Sequence, residues 1–118
     1  MTVREAIEAG DITALGALLA DDVVFRSPAV YKPYQGRETV LSLLSVVAQV
    51  FENFRYTAEW NDSDTTILRF EASVGDRELQ GVDILEHGAD GLVEQFTVMI
   101  RPLSGLQALA GAVQSRLG

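Results

Sequence analysis

The sequence predicts an α+β fold in which a curved, mostly antiparallel sheet forms a cone around N-terminal helices, with an extra helix at the C-terminal end. Three observations support this prediction. Apolar residues recur at helical spacing before residue 51 and after residue 102, four segments between them alternate apolar with polar residues, and short turn sequences separate these segments. At 118 residues the chain is expected to form one domain, spanning residues 1–118.

The N-terminal part predicts two short helices followed by a strand. The apolar pattern of residues 6–20 is interrupted at Gly10, and Asp11 is a suitable N-cap for a second helix. Val23–Phe25 is rich in residues that favour strands. Pro28 ends this strand, because proline cannot donate a hydrogen bond to a neighbouring strand.

A proline-containing loop and a long helix come next. Residues 28–36 contain two prolines, two tyrosines and a glycine, which indicates an ordered surface loop that could serve as a lid. Tyr31 and Tyr34 each combine an apolar ring with a polar tip, and such side chains suit the entrance of a pocket. From Arg37 to Phe51 apolar residues recur every three or four positions, as they do in a helix that lies on a core.

The second half of the sequence predicts four strands and a terminal helix. The strands are Phe54–Trp60, Thr66–Val74, Glu78–Glu86 and Leu92–Arg101. Short turns rich in Gly, Asp and Asn separate them, so sequential strands are expected to be antiparallel neighbours. Pro102 ends the last strand, and apolar residues at helical spacing in Leu103–Leu117 predict the closing helix.

Residue parity predicts which strand side chains face inward, because side chains alternate between the two faces of a strand. The inward set is largely apolar: Phe54, Tyr56, Ala58, Trp60, Leu68, Phe70, Ala72, Val74, Leu92, Glu94, Phe96, Val98 and Ile100. The opposite face carries Ile67, Ile84, Thr97 and Met99 among charged residues. Such a mixture fits a moderate protein interface, so we expect a homodimer that packs sheet to sheet through this outer face.

Composition excludes several classes of partner. A net charge of -8 and a pI near 4.4 disfavour nucleic acids and anionic membranes, which both require a surface rich in lysine and arginine. The chain has no cysteine, and its one histidine, His87, has no partner at ligand spacing, so neither a metal nor another cofactor is expected. No apolar run is long enough for a membrane span or a signal peptide, and we expect a soluble, cytoplasmic protein.

Short motifs in a characteristic order cover almost the whole chain. They are Gly10-Asp11, Leu18-Leu19-Ala20-Asp21-Asp22-Val23-Val24-Phe25, Ser27-Pro28, Gly36-Arg37-Glu38, Asp90-Gly91-Leu92-Val93 and Arg101-Pro102. In order and spacing they resemble the SnoaL-like branch of the nuclear transport factor 2-like superfamily, which includes polyketide cyclases, ketosteroid isomerases and many uncharacterised bacterial proteins. The resemblance implies a cystatin-like cone in a bacterial protein, a fold that serves enzymes, binding proteins and adaptors alike.

Asp83 is the first candidate site residue. By parity it lies with Leu85 on the concave side and faces Phe70 and Phe96. Apolar surroundings disfavour a charged carboxylate, so they would raise the pKa of Asp83 and let it donate a hydrogen bond. The resemblance places Asp83 near the acid that ketosteroid isomerases keep protonated in an oxyanion hole. The alternative is an aspartate that is hydrogen-bonded at a strand end or turned to the outer face.

The other polar residues of the expected pocket fit catalysis less well. Ser27 lies where the resemblance implies a proton-moving aspartate, and a serine does not accept a proton at neutral pH without a base beside it. The tyrosine donor of the isomerases finds no match in the first helix. By parity Arg69 and Glu71 point away from the pocket in which related epoxide hydrolases need a charged cluster, and Glu94 stands at the rim.

Three functions remain open from the sequence. The first is non-catalytic binding of a small apolar molecule by Phe25, Ser27, Tyr31, Tyr34, Phe54, Tyr56, Trp60, Leu68, Phe70, Phe96, Val98 and Ile100. The second is an enzyme of the cyclase or isomerase type, with Asp83 as acid or hydrogen-bond donor to a carbonyl substrate. The third is a dimeric scaffold with a filled core. A single buried acid favours the first, because proton transfer between two substrate atoms usually requires an acid and a base.

Overall fold

A computed structural model describes residues 1–117 as four helices and six strands. In chain order the elements are α1 (Val3–Ala9), α2 (Ile12–Ala17), β1 (Leu19–Arg26), β2 (Tyr34–Gln35), α3 (Arg37–Val50), β3 (Glu52–Asp62), β4 (Thr65–Val74), β5 (Arg77–His87), β6 (Val93–Arg101) and α4 (Leu103–Leu117). The strands form one sheet in the order β2-β1-β6-β5-β4-β3. Only the β1–β6 pair is parallel within these residues, so the predicted α+β fold with a mostly antiparallel sheet is confirmed.

The break between the first two helices has a local cause. Thr2 and Glu5 form a capping box at the start of α1, and Gly10 ends the helix in the left-handed conformation with φ 67°. Asp11 then caps α2 by accepting a hydrogen bond from the Ala14 amide at 3.0 Å. These short-range hydrogen bonds turn the chain at the position that the sequence predicts.

The strand after α2 begins earlier than the sequence predicts, and a further strand is present. Leu19, expected to be helical, pairs with Val93 of β6, and both side chains are fully buried. The short strand β2, within the expected loop, pairs with β1 through Tyr34 and Phe25. Pairing between residues distant in the sequence outweighs local helix preference at Leu19.

The start of α3 is attached to the same strand. The guanidinium of Arg37 donates two hydrogen bonds to the Leu19 carbonyl, at 2.9 and 3.1 Å, and forms an ion pair with Asp21 at 2.7 Å. The helix therefore leaves β1 at a fixed point, and its later turns lie across the concave side of the sheet with Val40 and Val50 buried.

A β-bulge at Thr57 reverses the alternation of β3. Tyr56 lies opposite Phe70, but Ala58 lies opposite Arg69, so β3 has one residue more than β4 at this point. Beyond such an extra residue every side chain moves to the other face. Trp60 therefore lies opposite Ile67 on the outer face and is 52% exposed, and its predicted inward position is wrong.

A second irregularity has the same effect at the start of β6. His87 pairs with Val93 while Glu86 pairs with Gln95, which leaves Glu94 as the extra residue. Val93, predicted by parity to lie on the mixed face, is consequently fully buried in the core.

Two glycines of α4 occupy opposite environments, and this difference provides a stability test. A Cβ at Gly105 would lie 2.8 Å from the Leu79 Cβ and 2.9 Å from the Glu78 carbonyl oxygen, whereas a Cβ at Gly111 would meet nothing within 4 Å. We expect Gly111→Ala to raise the free energy of unfolding by roughly 0.5–1 kcal/mol, because alanine reduces the entropy lost on helix formation. Gly105→Ala should lower it by about 1–3 kcal/mol through overpacking. Urea unfolding of both variants would measure the difference, and equal effects would contradict this account of the packing.

Candidate functional site

The concave side of the sheet and the four helices enclose a cavity of about 840 Å³. Its wall is largely apolar and contains most of the residues that the sequence analysis selected. These are Phe25, Ser27, Tyr34, Phe54, Tyr56, Phe70, Asp83, Phe96, Val98 and Ile100. A volume of this size falls within the range of small-molecule pockets, so the concave side is not completely filled by its own side chains.

Three selected residues do not line this cavity. Tyr31 is fully exposed in the loop after β1, and Trp60 lies on the outer face because of the β3 bulge. Leu68 is buried, but it borders a second, smaller cavity of about 260 Å³ next to Val3 and Leu85. The first half of α1 lies beside that smaller cavity and the second half beside the larger one, so the helix divides the concave side.

Helices supply a part of the wall that strand parity could not reveal. The C-terminal halves of α1 and α3 contribute, and α4 adds Leu106, Leu109, Ala110, Val113, Gln114 and Leu117. The helical spacing of α4 predicts its apolar face, but not what that face covers. Leu109 is buried against the core, whereas the turns after it lie over the cavity.

The most distinctive polar feature of the cavity is a hydrogen-bonded pair. The Tyr56 hydroxyl donates to Oδ2 of Asp83 at 2.7 Å, and both residues are buried, with 8% and 6% of their surface exposed. Tyr56 is on β3 and Asp83 on β5, so the bond spans the intervening strand β4. Strand parity predicts that each residue faces inward, but it gives no sign that the two meet.

A glycine on β5 makes room for the aromatic ring that lies between these strands. Gly81 pairs with Phe70, and a Cβ at residue 81 would collide with the Phe70 ring. The Phe70 ring in turn stacks on Phe54 at 5.2 Å and meets Tyr56 edge-on at 6.5 Å. The hydrogen-bonded pair is therefore held against a packed aromatic cluster, which keeps its geometry fixed.

Burial changes the acidity of both partners. Loss of solvation raises the pKa of Asp83 to about 7, although the hydrogen bond from Tyr56 acts in the opposite direction. Burial also raises the pKa of Tyr56 above its usual value, and the negative charge of Asp83 adds to this effect. Near neutral pH Asp83 is therefore either a protonated donor or an ionised acceptor, while Tyr56 keeps its proton.

Three other polar residues at the wall have structural partners. Ser27 Oγ accepts a hydrogen bond from the Ala29 amide at 3.0 Å, which is a local turn contact. At the mouth, Asp11 caps α2, and Glu8 accepts a hydrogen bond from Arg4 at 3.4 Å. Asp83 and Tyr56 differ from these residues because both side chains of the pair are buried.

The remaining charged candidates lie elsewhere. Arg69 stacks its guanidinium on the Trp60 ring at 5.6 Å, and Glu71 is paired with Arg55 at 2.7 Å, all on the outer face. Glu94 is exposed. Nδ1 of His87 lies 3.1 Å from the Gly91 carbonyl in a turn, and no three His, Asp or Glu side chains within residues 1–117 converge on a metal position. None of the helices in that part of the chain has the length and apolar character of a membrane span.

Comparison with known proteins identifies a family model described as a SnoaL-like domain, which matches residues 2–108. A steroid delta-isomerase from Pseudomonas aeruginosa is 43% identical, with a TM-score of 0.92, and the match covers 96% of this chain and 84% of that one. An uncharacterised protein with a cystatin-like fold from Silicibacter pomeroyi is 36% identical, with a TM-score of 0.93 and coverage of 98% and 82%. None of the curated proteins compared with the chain matches it.

The raised pKa of Asp83 predicts how stability changes with pH. The folded-state pKa is about 7 and the ordinary value 3.8, so the folded state binds more protons between these values. The contribution of Asp83 to stability is therefore full below pH 4 and falls as pH rises towards and through 7. The total change is of the order of 4 kcal/mol, from 1.36 kcal/mol per pKa unit.

Asp83→Asn should remove this dependence while keeping a hydrogen-bond acceptor for Tyr56. Relative to the wild type, the variant should become more stable as pH is raised from 4 to 7, and the difference should level off at higher pH. Urea unfolding of both proteins across this range would measure the effect, and carboxyl NMR shifts would give the pKa directly. A difference in stability that does not change with pH would mean that Asp83 is solvated in the folded protein.

Proposed function

This chain belongs to the family of SnoaL-like domains, and from that membership and the geometry of its cavity we propose that it binds a small, largely apolar molecule that presents one oxygen atom to Asp83 and Tyr56. The observation that supports this proposal is the buried hydrogen-bonded pair in a largely apolar cavity. A few convergent polar groups in a largely apolar wall are typical of sites that recognise small molecules. An open volume of about 840 Å³ also argues against a scaffold with a filled core.

Apolar contact and the polar pair have different roles in this proposal. A ligand that buries roughly 300 Å² of apolar surface gains about 7 kcal/mol before the entropy of association is subtracted. A hydrogen bond contributes only about 1 kcal/mol. The aromatic and aliphatic wall therefore supplies most of the affinity, and the polar pair selects the orientation of the ligand.

Binding without chemistry is favoured over proton transfer by the distribution of ionisable groups. Asp83 is the buried acid of the cavity, whereas Glu8 and Asp11 are exposed at the mouth. Moving a proton between two substrate atoms usually requires an acid and a base that reach both positions. Ser27, engaged in a turn with Ala29, does not supply that base.

An isomerase or cyclase activity is the second candidate, and two observations favour it. One similar protein, at 43% identity, is a steroid delta-isomerase. A carboxyl whose pKa is about 7 can also give up and recover a proton near neutral pH. In this alternative Asp83 acts as acid or hydrogen-bond donor to a substrate carbonyl, with Tyr56 orienting it.

A steroid ketone is a suitable probe for both candidates. We expect calorimetric titration to detect binding to the wild type, with Asp83→Asn and Tyr56→Phe each weakening it two- to tenfold, as expected for one altered hydrogen bond. Glu78→Gln is the matched control, because Glu78 is an exposed acid on the same strand, β5. No binding to the wild type would contradict the proposal, and equal weakening by the control would remove the assignment to Asp83.

Turnover separates the two candidates. A β,γ-unsaturated steroid ketone becomes conjugated when it isomerises, so absorbance reports the reaction directly. Binding without conversion would support a carrier or sensor. Conversion that Asp83→Asn abolishes and Glu78→Gln preserves would establish the isomerase alternative.

We also propose that two copies of the chain pack through their outer sheet faces. The strand registers bring five apolar residues together across the middle of this face: Trp60, Ile67, Val82, Ile84 and Met99. One end of the face carries the hydrogen-bonded row Arg55, Glu71, Gln80 and Arg101, and the other end carries Asp62, Thr65, Glu86 and Gln95. An apolar centre between two polar rows is the arrangement of a protein interface that has an apolar core and a polar rim.

Disruption of this apolar centre should produce monomers. Met99→Glu places a charge among the five apolar residues, where Met99 itself is 57% exposed. Sedimentation at roughly 10–50 µM, a range suited to a typical interface, should show a wild-type dimer and a Met99→Glu monomer. Tyr31→Glu changes a fully exposed aromatic residue away from the sheet and should remain dimeric. A monomeric wild type, or a Met99→Glu dimer, would contradict the proposed interface.

A further inference from the structure

The ionisable side chains on the cavity wall, tyrosines aside, are all acids. Within the described residues they are Glu8 and Asp11 at the mouth and Asp83 inside. Two guanidinium groups come close to the wall: that of Arg4 lies 5.7 Å from the centre of the Tyr56 ring, and that of Arg116 donates a hydrogen bond to Oε1 of the wall residue Gln49 at 3.4 Å. Arg4 is paired with Glu8 at 3.4 Å and with Glu59 at 3.2 Å, so its positive charge is matched by two carboxylates.

The backbone contributes electrostatic potential of the same sign. The part of α3 that lines the cavity runs from Leu43 to Gln49, which is the C-terminal half of that helix. The carbonyl groups at a helix C-terminus carry a partial negative charge, equivalent to about half an elementary charge. The carboxyl groups of Glu8, Asp11, Glu59 and Asp83 outnumber the guanidinium groups of Arg4 and Arg116, so the side chains and this part of the backbone together disfavour a second negative charge in the cavity.

One carboxyl oxygen of Asp83 is free to interact with a ligand. Asp83 is 6% exposed, and the Tyr56 hydroxyl occupies its Oδ2. Within residues 1–117 its other oxygen, Oδ1, has no hydrogen-bond partner, and the residue lines the cavity. A neutral ligand oxygen can accept the Asp83 proton here, whereas a ligand carboxylate would meet a like charge whenever Asp83 is ionised.

We propose that the cavity selects uncharged ligands and rejects anionic ones, so that its ligand class is apolar ketones, esters and alcohols, and excludes fatty acids, other carboxylates and phosphate-linked molecules. This inference rests on the proposed binding function and defines its ligand class. The acids at the mouth act on the outer end of the ligand, and Asp83 acts on the end that lies deepest.

A steroid ketone that carries a carboxylate, compared with its methyl ester, provides a matched pair of probes. The two share the same body and ketone, and they differ by one charge. At pH 8 we expect the ester to bind the wild type at least tenfold more tightly than the acid in calorimetric titrations. Because any apolar wall disfavours a carboxylate to some extent, variants are needed to assign the preference to the acids.

The double variant Glu8→Gln/Asp11→Asn removes the mouth charges, and asparagine remains a good N-cap for α2. We expect it to reduce the ratio of ester affinity to acid affinity at least threefold, and added salt should reduce the wild-type preference, because charges at the mouth are screened. Glu78→Gln should leave both affinities unchanged. A wild type that binds acid and ester equally, or a preference that the double variant preserves, would overturn the inference and leave the binding function intact. Failure of both probes to bind the wild type would instead contradict the binding function itself.

Discussion

The extra residue at Thr57 determines which side chains of β3 lie on each face of the sheet. Before the bulge, Phe54 and Tyr56 point into the concave side, and after it Trp60 points outward. Uninterrupted alternation would carry Trp60 inward, where the largest side chain in the chain would occupy the space beside α1. The same one-residue shift thus keeps Trp60 out of the smaller cavity beside the start of α1, which Glu59 borders instead, and adds an aromatic residue to the apolar centre of the outer face.

Much of the fold follows from local chemistry, which is why the sequence predicts it. Gly10 and Asp11 break the N-terminal helix by capping interactions that involve only nearby residues, and the strands from β3 to β6 are bounded by turn sequences. The inward position of Asp83 follows from simple alternation. The bulge does not, because Tyr56-Thr57-Ala58-Glu59 continues the alternating pattern without a glycine or another local sign of an inserted residue.

The contacts that define the site depend on residues far apart in the sequence. Tyr56 and Asp83 are separated by 27 positions and by the whole of β4 in space. Whether their side chains meet depends on strand register, on the sheet's curvature, and on Gly81, which leaves room for the Phe70 ring. The position of α4 over the cavity is equally non-local, since helical spacing indicates an apolar face but not its partner.

The buried acid lowers the stability of the folded protein near neutral pH, and this effect is informative about function. Holding Asp83 in apolar surroundings raises its pKa to about 7, so the folded protein loses stability as the pH rises towards neutral. An apolar residue at this position would not cause that loss. A nearby basic residue would reduce the cost, but it would also remove the Asp83 proton and attract anions into the cavity. Tyr56 instead stabilises the carboxylate through one neutral hydrogen bond and leaves the proton available near neutral pH. An acid kept in this state can donate to an uncharged oxygen, so the electrostatic features that reduce stability also restrict the kind of molecule that the cavity can hold.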